Sequence, residues 1–216
     1  MSWAALEAGA RERHLTILGG FHPDTTDGAP DGYRTLLLLG PSAPEFWPAY
    51  SQSAEALDGA PDPMDRWSER VIGGWARSLG ATALFPFGGP PWLPFFSWAQ
   101  RTGRIHASPI MLLVHDEAGL FVSFRGALAL REHIDLPPAP PSPCITCDTK
   151  PCKSACPVNA FDGTGYDVDA CKSHLGQTAG ADCMAAGCLA RRACPVSVQH
   201  PRQPAQSAYH MQVFRG

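Results

Sequence analysis

The stretch CITCDTKPCKSACPVNAF, residues 144–161, holds four cysteines, the last of them followed directly by proline. No cysteine precedes Cys144, and all eight in the chain lie between Cys144 and Cys194. The first group reads Cys144-x2-Cys147-x4-Cys152-x3-Cys156-Pro157. The second reads Cys171-x11-Cys183-x4-Cys188-x5-Cys194-Pro195. Four disulfides would need an oxidising compartment, and the N-terminus MSWAALEAGARERH carries no apolar export segment. Metal is the better reading.

An iron–sulfur cube has four iron corners, each taking one soft thiolate. Closely spaced cysteines let one loop wrap a face of such a cube. In two-cluster bacterial ferredoxins the cysteine before proline ligates the other cluster. Applied to this sequence, Cys144, Cys147, Cys152 and Cys194 bind one [4Fe–4S] cluster, and Cys156, Cys171, Cys183 and Cys188 bind the second. No cysteine is left over. The spacing departs from C-x2-C-x2-C-x3-C-P, by two extra residues before Cys152 and by longer gaps throughout the second group. This leaves open a local arrangement in which Cys194 joins Cys171, Cys183 and Cys188. Zinc, in two four-cysteine sites, is the alternative metal. Zinc ribbons use two short knuckles per ion, whereas only the first group supplies one, and zinc gives no reason for Cys-Pro twice.

Upstream, LPPAPPSP (136–143) has five prolines and reads as a semi-rigid linker. It separates an expected α+β domain, 1–135, from a two-cluster domain, 144–197, with a tail at 198–216. In the N-terminal part, HLTILGG (14–20) and RTLLLLG (34–40) are apolar runs closed by glycine and predict buried strands. Residues 62–80 predict a helix with Trp67, Val71, Trp75 and Leu79 on one face, Asp62 in the cap region and Gly80 at the stop. A weaker helix is expected over 44–57, and a hairpin turning at DEAG is expected within 108–130.

Of 216 residues, 44% are hydrophobic, enough for a core. The formal charge of -3 without a Lys/Arg block argues against nucleic acid as partner. No apolar run of about 18 residues predicts a membrane span, so a soluble cytoplasmic protein is expected. Residues 144–216 carry seven Lys/Arg and five Asp/Glu, against ten and fifteen before them. Lys150, Lys153, Arg191 and Arg192 lie near the cysteines, where basic groups ease electron uptake by a thiolate-ligated cluster.

A second candidate site is LFPFGGPPWLPFFSWAQRTGRIHASP (84–109). Gly88 and Gly89 permit close backbone approach, and Phe87 and Trp92 suit a planar ring such as a corrin or flavin. The competing reading is aromatic packing within a loop. His115, as a ligand or acid, and Arg125, as partner of an anionic group, complete this candidate cofactor site. No nucleotide fingerprint or Ser-His-Asp order is present.

The C-terminal residues resemble ferredoxin modules with two [4Fe–4S] clusters. CPVNAFDGTGYDVDACKSHL (156–175) is similar to the stretch between the cysteine groups of epoxyqueuosine reductase and the reductive dehalogenases. Both families pair their clusters with a cobalamin. HDEAGLFVSFRGAL (115–128) resembles part of the cobalamin-processing CblC family at His115, Gly119, Phe121, Arg125 and Gly126; it differs at Asp116 and Leu120. That resemblance implies a flavin-reductase/nitroreductase-like N-terminal domain of α+β type. The combined expectation is an electron carrier serving a redox partner protein, or a reductase with its own cobalamin or flavin.

Overall fold

The four leucines Leu36–Leu39 are all fully buried, and consecutive buried residues on a strand require both faces of its sheet to be covered. They lie in the second of six strands in a computed structural model that describes residues 1–163 and 165–216. These strands are Leu15–Phe21 (β1), Thr35–Pro41 (β2), Thr82–Leu84 (β3), Ile105–Ala107 (β4), Leu113–His115 (β5) and Gly126–Leu130 (β6). Four form an antiparallel sheet in the order β1-β2-β6-β3, and β4 pairs with β5 separately. With the helices described next, the fold is α+β.

Two compact units share the chain. The first is Met1–Ile105 with Ser123–Pro140; the second is His106–Val122 with Pro141–Gly216. The expected division at the linker is therefore incomplete, because 106–122 belongs with the cysteine-bearing segment.

In the first unit the helices are Trp3–Arg11 (α1), Phe46–Ser51 (α2), Ala54–Leu57 (α3), Pro63–Leu79 (α4) and Phe95–Arg101 (α5). Both predicted strands and the long helix form within a residue or two of their expected limits. Gly80 ends α4 in the left-handed region at φ 64, and its N–H is donated to the Ala76 carbonyl. Asp62 makes no side-chain cap bond. The buried stripe of α4 is Met64, Trp67, Ser68, Ile72, Trp75 and Ala76, so Val71 and Leu79 sit at its margin. This follows from 3.6 residues per turn, which drifts away from a strict spacing of four. The helix expected over 44–57 breaks at Gln52, because the Ser53 side chain accepts the Ala56 N–H at 3.3 Å and starts α3.

The hairpin expected within 108–130 is not formed. DEAG is a tight turn closed by mutual backbone bonds between His115 and Gly119, both 3.0 Å. After it the chain leaves strand geometry, and β6 pairs with β2 and β3 instead. Leu120 is buried beside Ile110, Val114, Cys152 and Cys194 in the second unit. An apolar run satisfied by such packing has the same composition as a buried strand.

The second unit adds Val168–Leu175 (α6), Ala181–Ala186 (α7), Leu189–Arg192 (α8), Pro195–Gln199 (α9) and Pro204–Arg215 (α10). What was expected to be a tail is mostly helix: α10 packs on α7 and buries Gln206, Ser207 and Met211. Residues 136–143 have no regular structure. Among the described residues no helix is long and apolar enough to cross a membrane.

Candidate metal centre

Short local devices present the cysteines. Cys152 sits in a single 3-10 turn, Pro151–Lys153, entered through Lys150 at φ 41. Cys156 precedes a turn in which the Ala160 N–H is donated to its Sγ at 3.3 Å. Cys171 is on α6, capped by Asp167, whose carboxylate accepts the Ala170 N–H at 2.8 Å. Cys183 lies on α7, while Cys188 and Cys194 occupy the cap positions of α8 and α9. Pro195 takes the first helical position of α9, where its missing N–H costs nothing. That proline starts a helix.

Cys144, Cys147, Cys152 and Cys194 line one cavity of about 40 Å³. Pro109, Val114, Leu120 and Val196 make its walls largely apolar. Cys152 and Cys194 are buried, and Cys144 and Cys147 are partly so. Burial pushes the Cys144 thiol up from its usual value, and the nearby Cys194 and Cys147 push it further. Burial likewise raises Cys152, with Cys194, Cys144 and Cys147 adding to it. These four sulfurs are mutual neighbours. They come from both sequence groups.

The remaining four make a second neighbourhood. Burial raises Cys171, with Cys188 and Cys156 beside it, and burial raises Cys183, which also has Cys188 as a neighbour. The Tyr166 hydroxyl lies near Cys171, and its ring stacks on Phe161 with centroids 4.6 Å apart. Burial pushes that hydroxyl's pKa up, and the neighbouring Cys171 adds to the shift. Arg191 lies near Cys188 and Tyr166, and burial pushes its guanidinium down. It also donates to the Leu120 carbonyl.

Among the described residues no three His, Cys, Asp or Glu side chains form a group of the kind that holds a single metal ion. A cube spreads its thiolates over four separate corners and does not require that convergence. Two features fit a cube in the cavity: four soft donors on one lining, and a residue of the same lining that carries a buried polar atom. The latter is Ser108 Oγ, which has no hydrogen-bond partner among the described residues. Deprotonating raised thiols is unfavourable without a cation, so a metal would supply the missing charge.

The other candidate residues are distributed differently. Phe87, Gly88, Gly89 and Trp92 share one loop of the first unit. Phe87 stacks on Phe85 at 5.1 Å, and a Cβ on Gly89 would lie 2.8 Å from the Trp92 ring, which is itself 65% exposed. Arg125, also in the first unit, lies 3.8 Å from Asp65 Oδ1. His115 belongs to the second unit and is buried. Its Nδ1 accepts the N–H groups of Glu117 and Ala118, both at 3.0 Å, and its Nε2 lies 3.1 Å from Asp116 Oδ1. These contacts make His115 the organiser of its own turn.

Sequence reading missed Ser108 and Tyr166. Tyr166 precedes Cys171 closely enough to have been suspected, whereas Ser108 is remote from every cysteine in the chain and carries no spacing signal. No known protein family, curated protein or solved structure matches this chain.

Proposed function

We propose that this chain is an iron–sulfur electron-transfer protein holding two [4Fe–4S] clusters. Cys144, Cys147, Cys152 and Cys194 would hold the first, and Cys156, Cys171, Cys183 and Cys188 the second. The observation carrying this reading is the grouping of Cys194 with the three early cysteines around one apolar cavity. When bound, the clusters would accept and pass on single electrons. The chain's own residues supply soft thiolates, and Pro109, Val114, Leu120 and Val196 keep water from the cavity side. Tyr166 places a hydroxyl near the ligand sulfur of Cys171, and Arg191 places positive charge near Cys188. A redox partner protein is the expected donor or acceptor. The resemblance to the modules of epoxyqueuosine reductase and the reductive dehalogenases supports the same reading.

A second reading, a reductase with its own cobalamin or flavin, is favoured by the exposed Trp92 ring beside Gly88-Gly89. Anaerobic purification with iron, sulfide, zinc, cobalt and flavin analysis tests both. About eight irons and eight sulfides per chain are expected, with a broad absorbance shoulder. Resolved corrin or flavin bands would add the second reading. Two zinc ions without sulfide would overturn both clusters.

A further inference from the structure

Ser108 enters the second unit on the segment 106–122, far in sequence from the cysteines. It is 8% exposed. Both its backbone groups are engaged: its N–H is donated to the Leu112 carbonyl at 2.9 Å, and its carbonyl accepts the Met111 N–H at 2.9 Å. Only the hydroxyl is left over. Ser108 Oγ is buried without a partner among the described residues, while the residue lines the cavity shared by Cys144, Cys147, Cys152 and Cys194. A buried hydroxyl that donates to nothing is costly, and such atoms in native structures call for a partner.

We infer that Ser108 is a positioning and potential-setting residue, its hydroxyl donating a hydrogen bond to a sulfur of the cluster in this cavity. This rests on the iron–sulfur reading above. Hydrogen bonds to cluster sulfurs raise the reduction potential, because the donor stabilises the added negative charge of the reduced state. The walls around Ser108 are apolar, so little solvent competes with that bond. Nothing comparable lines the cavity from this segment, since Pro109, Val114 and Leu120 carry no side-chain donor.

The test is a redox titration of the full-length, iron-loaded chain followed by electron paramagnetic resonance, comparing wild type, Ser108→Ala and Ser108→Thr. For S108A one cluster should become harder to reduce by about fivefold or more in its equilibrium constant. That is about 40 mV for one electron, at about 59 mV per tenfold. The other cluster should be unchanged, and S108T should return to the wild-type value. Wild type should also show an exchangeable proton coupled to the reduced cluster, lost in S108A. An S108A chain with full iron content and wild-type potentials overturns the inference and leaves the functional reading intact. If S108A does not retain iron, Ser108→Cys, a weaker donor of similar shape, decides. An intermediate potential supports the bond, and a wild-type potential overturns it. A wild-type chain that takes up no iron or sulfide brings down both readings together.

Discussion

Gly119 lies against Ser197 so closely that a Cβ on the glycine would sit 2.5 Å from the serine Oγ and 2.6 Å from its backbone nitrogen. The next residue continues the contact, the Leu120 N–H being donated to Ser197 Oγ at 3.0 Å. The turn after His115 is thereby fastened to α9, the helix that begins just past Cys194.

Gly119→Ala should therefore destabilise the second unit. The φ of +57 costs a residue with a Cβ about 1 kcal/mol, and the encounter with Ser197 backbone cannot be relieved by rotating a side chain. A total above about 2 kcal/mol is expected. Denaturant midpoints should fall, with faster loss of iron on exposure to a chelator. A midpoint equal to wild type would refute this fastening.

Shared ligation makes iron losses non-additive, which separates the two possible assignments of Cys194. Cys147→Ala and Cys194→Ala should each leave about half the iron, and the double variant should leave no less. C147A combined with C156A should leave almost none. If C147A/C194A is empty, Cys194 serves the cluster of Cys171, Cys183 and Cys188.

Tyr166→Phe keeps the ring stacked on Phe161 and removes the hydroxyl beside Cys171. One cluster should become harder to reduce, by the argument that hydrogen bonds to sulfur stabilise the reduced state. It should be the cluster unaffected by Ser108→Ala. Identical clusters shifting in both variants would show that the two hydroxyls do not act locally.

In the first unit, Glu55 is paired with Arg70 in a bidentate contact, which holds its carboxyl down to about 2 from 4.5. A folded-state pKa below the unfolded one gives stability that is present above the unfolded value. It is lost as pH falls through the folded value. The first unit should thus weaken between about pH 4.5 and about pH 2. Glu55→Gln should lower stability at neutral pH by about 1 kcal/mol and flatten the loss across that window. Denaturation midpoints of both proteins along a pH series measure it, and parallel curves would refute it.

Strands β1 and β2 were legible because each contains an apolar run closed by glycine, and α4 because its apolar period and terminal Gly80 agree. The segment 108–130 was misread for a physical reason. Leu120, Phe121 and Val122 look like strand residues, yet their burial is supplied by partners far along the chain, such as Ala190 and Cys194 for Leu120. Helix α10 was missed since its buried positions include Gln206 and Ser207, so no apolar stripe marks it. Within the candidate centre, the cysteines announced themselves by spacing. Ser108 could not, because a single serine in HASPI acquires meaning only from the cavity it lines.

The second unit draws on two separated lengths of chain, with β6 of the first unit between them. During synthesis on the ribosome, Ser108 and Leu120 emerge first, then Cys144, Cys147 and Cys152, and Cys194 after all of them. The cavity's lining is therefore completed only once the segment Cys194–Val196 has been made. A nascent chain cannot hold the complete set of four sulfurs until Cys194 has been added. The same interleaving means that no single cut at the proline-rich connector yields a transplantable cysteine module, since the piece downstream would lack the wall contributed by 106–122.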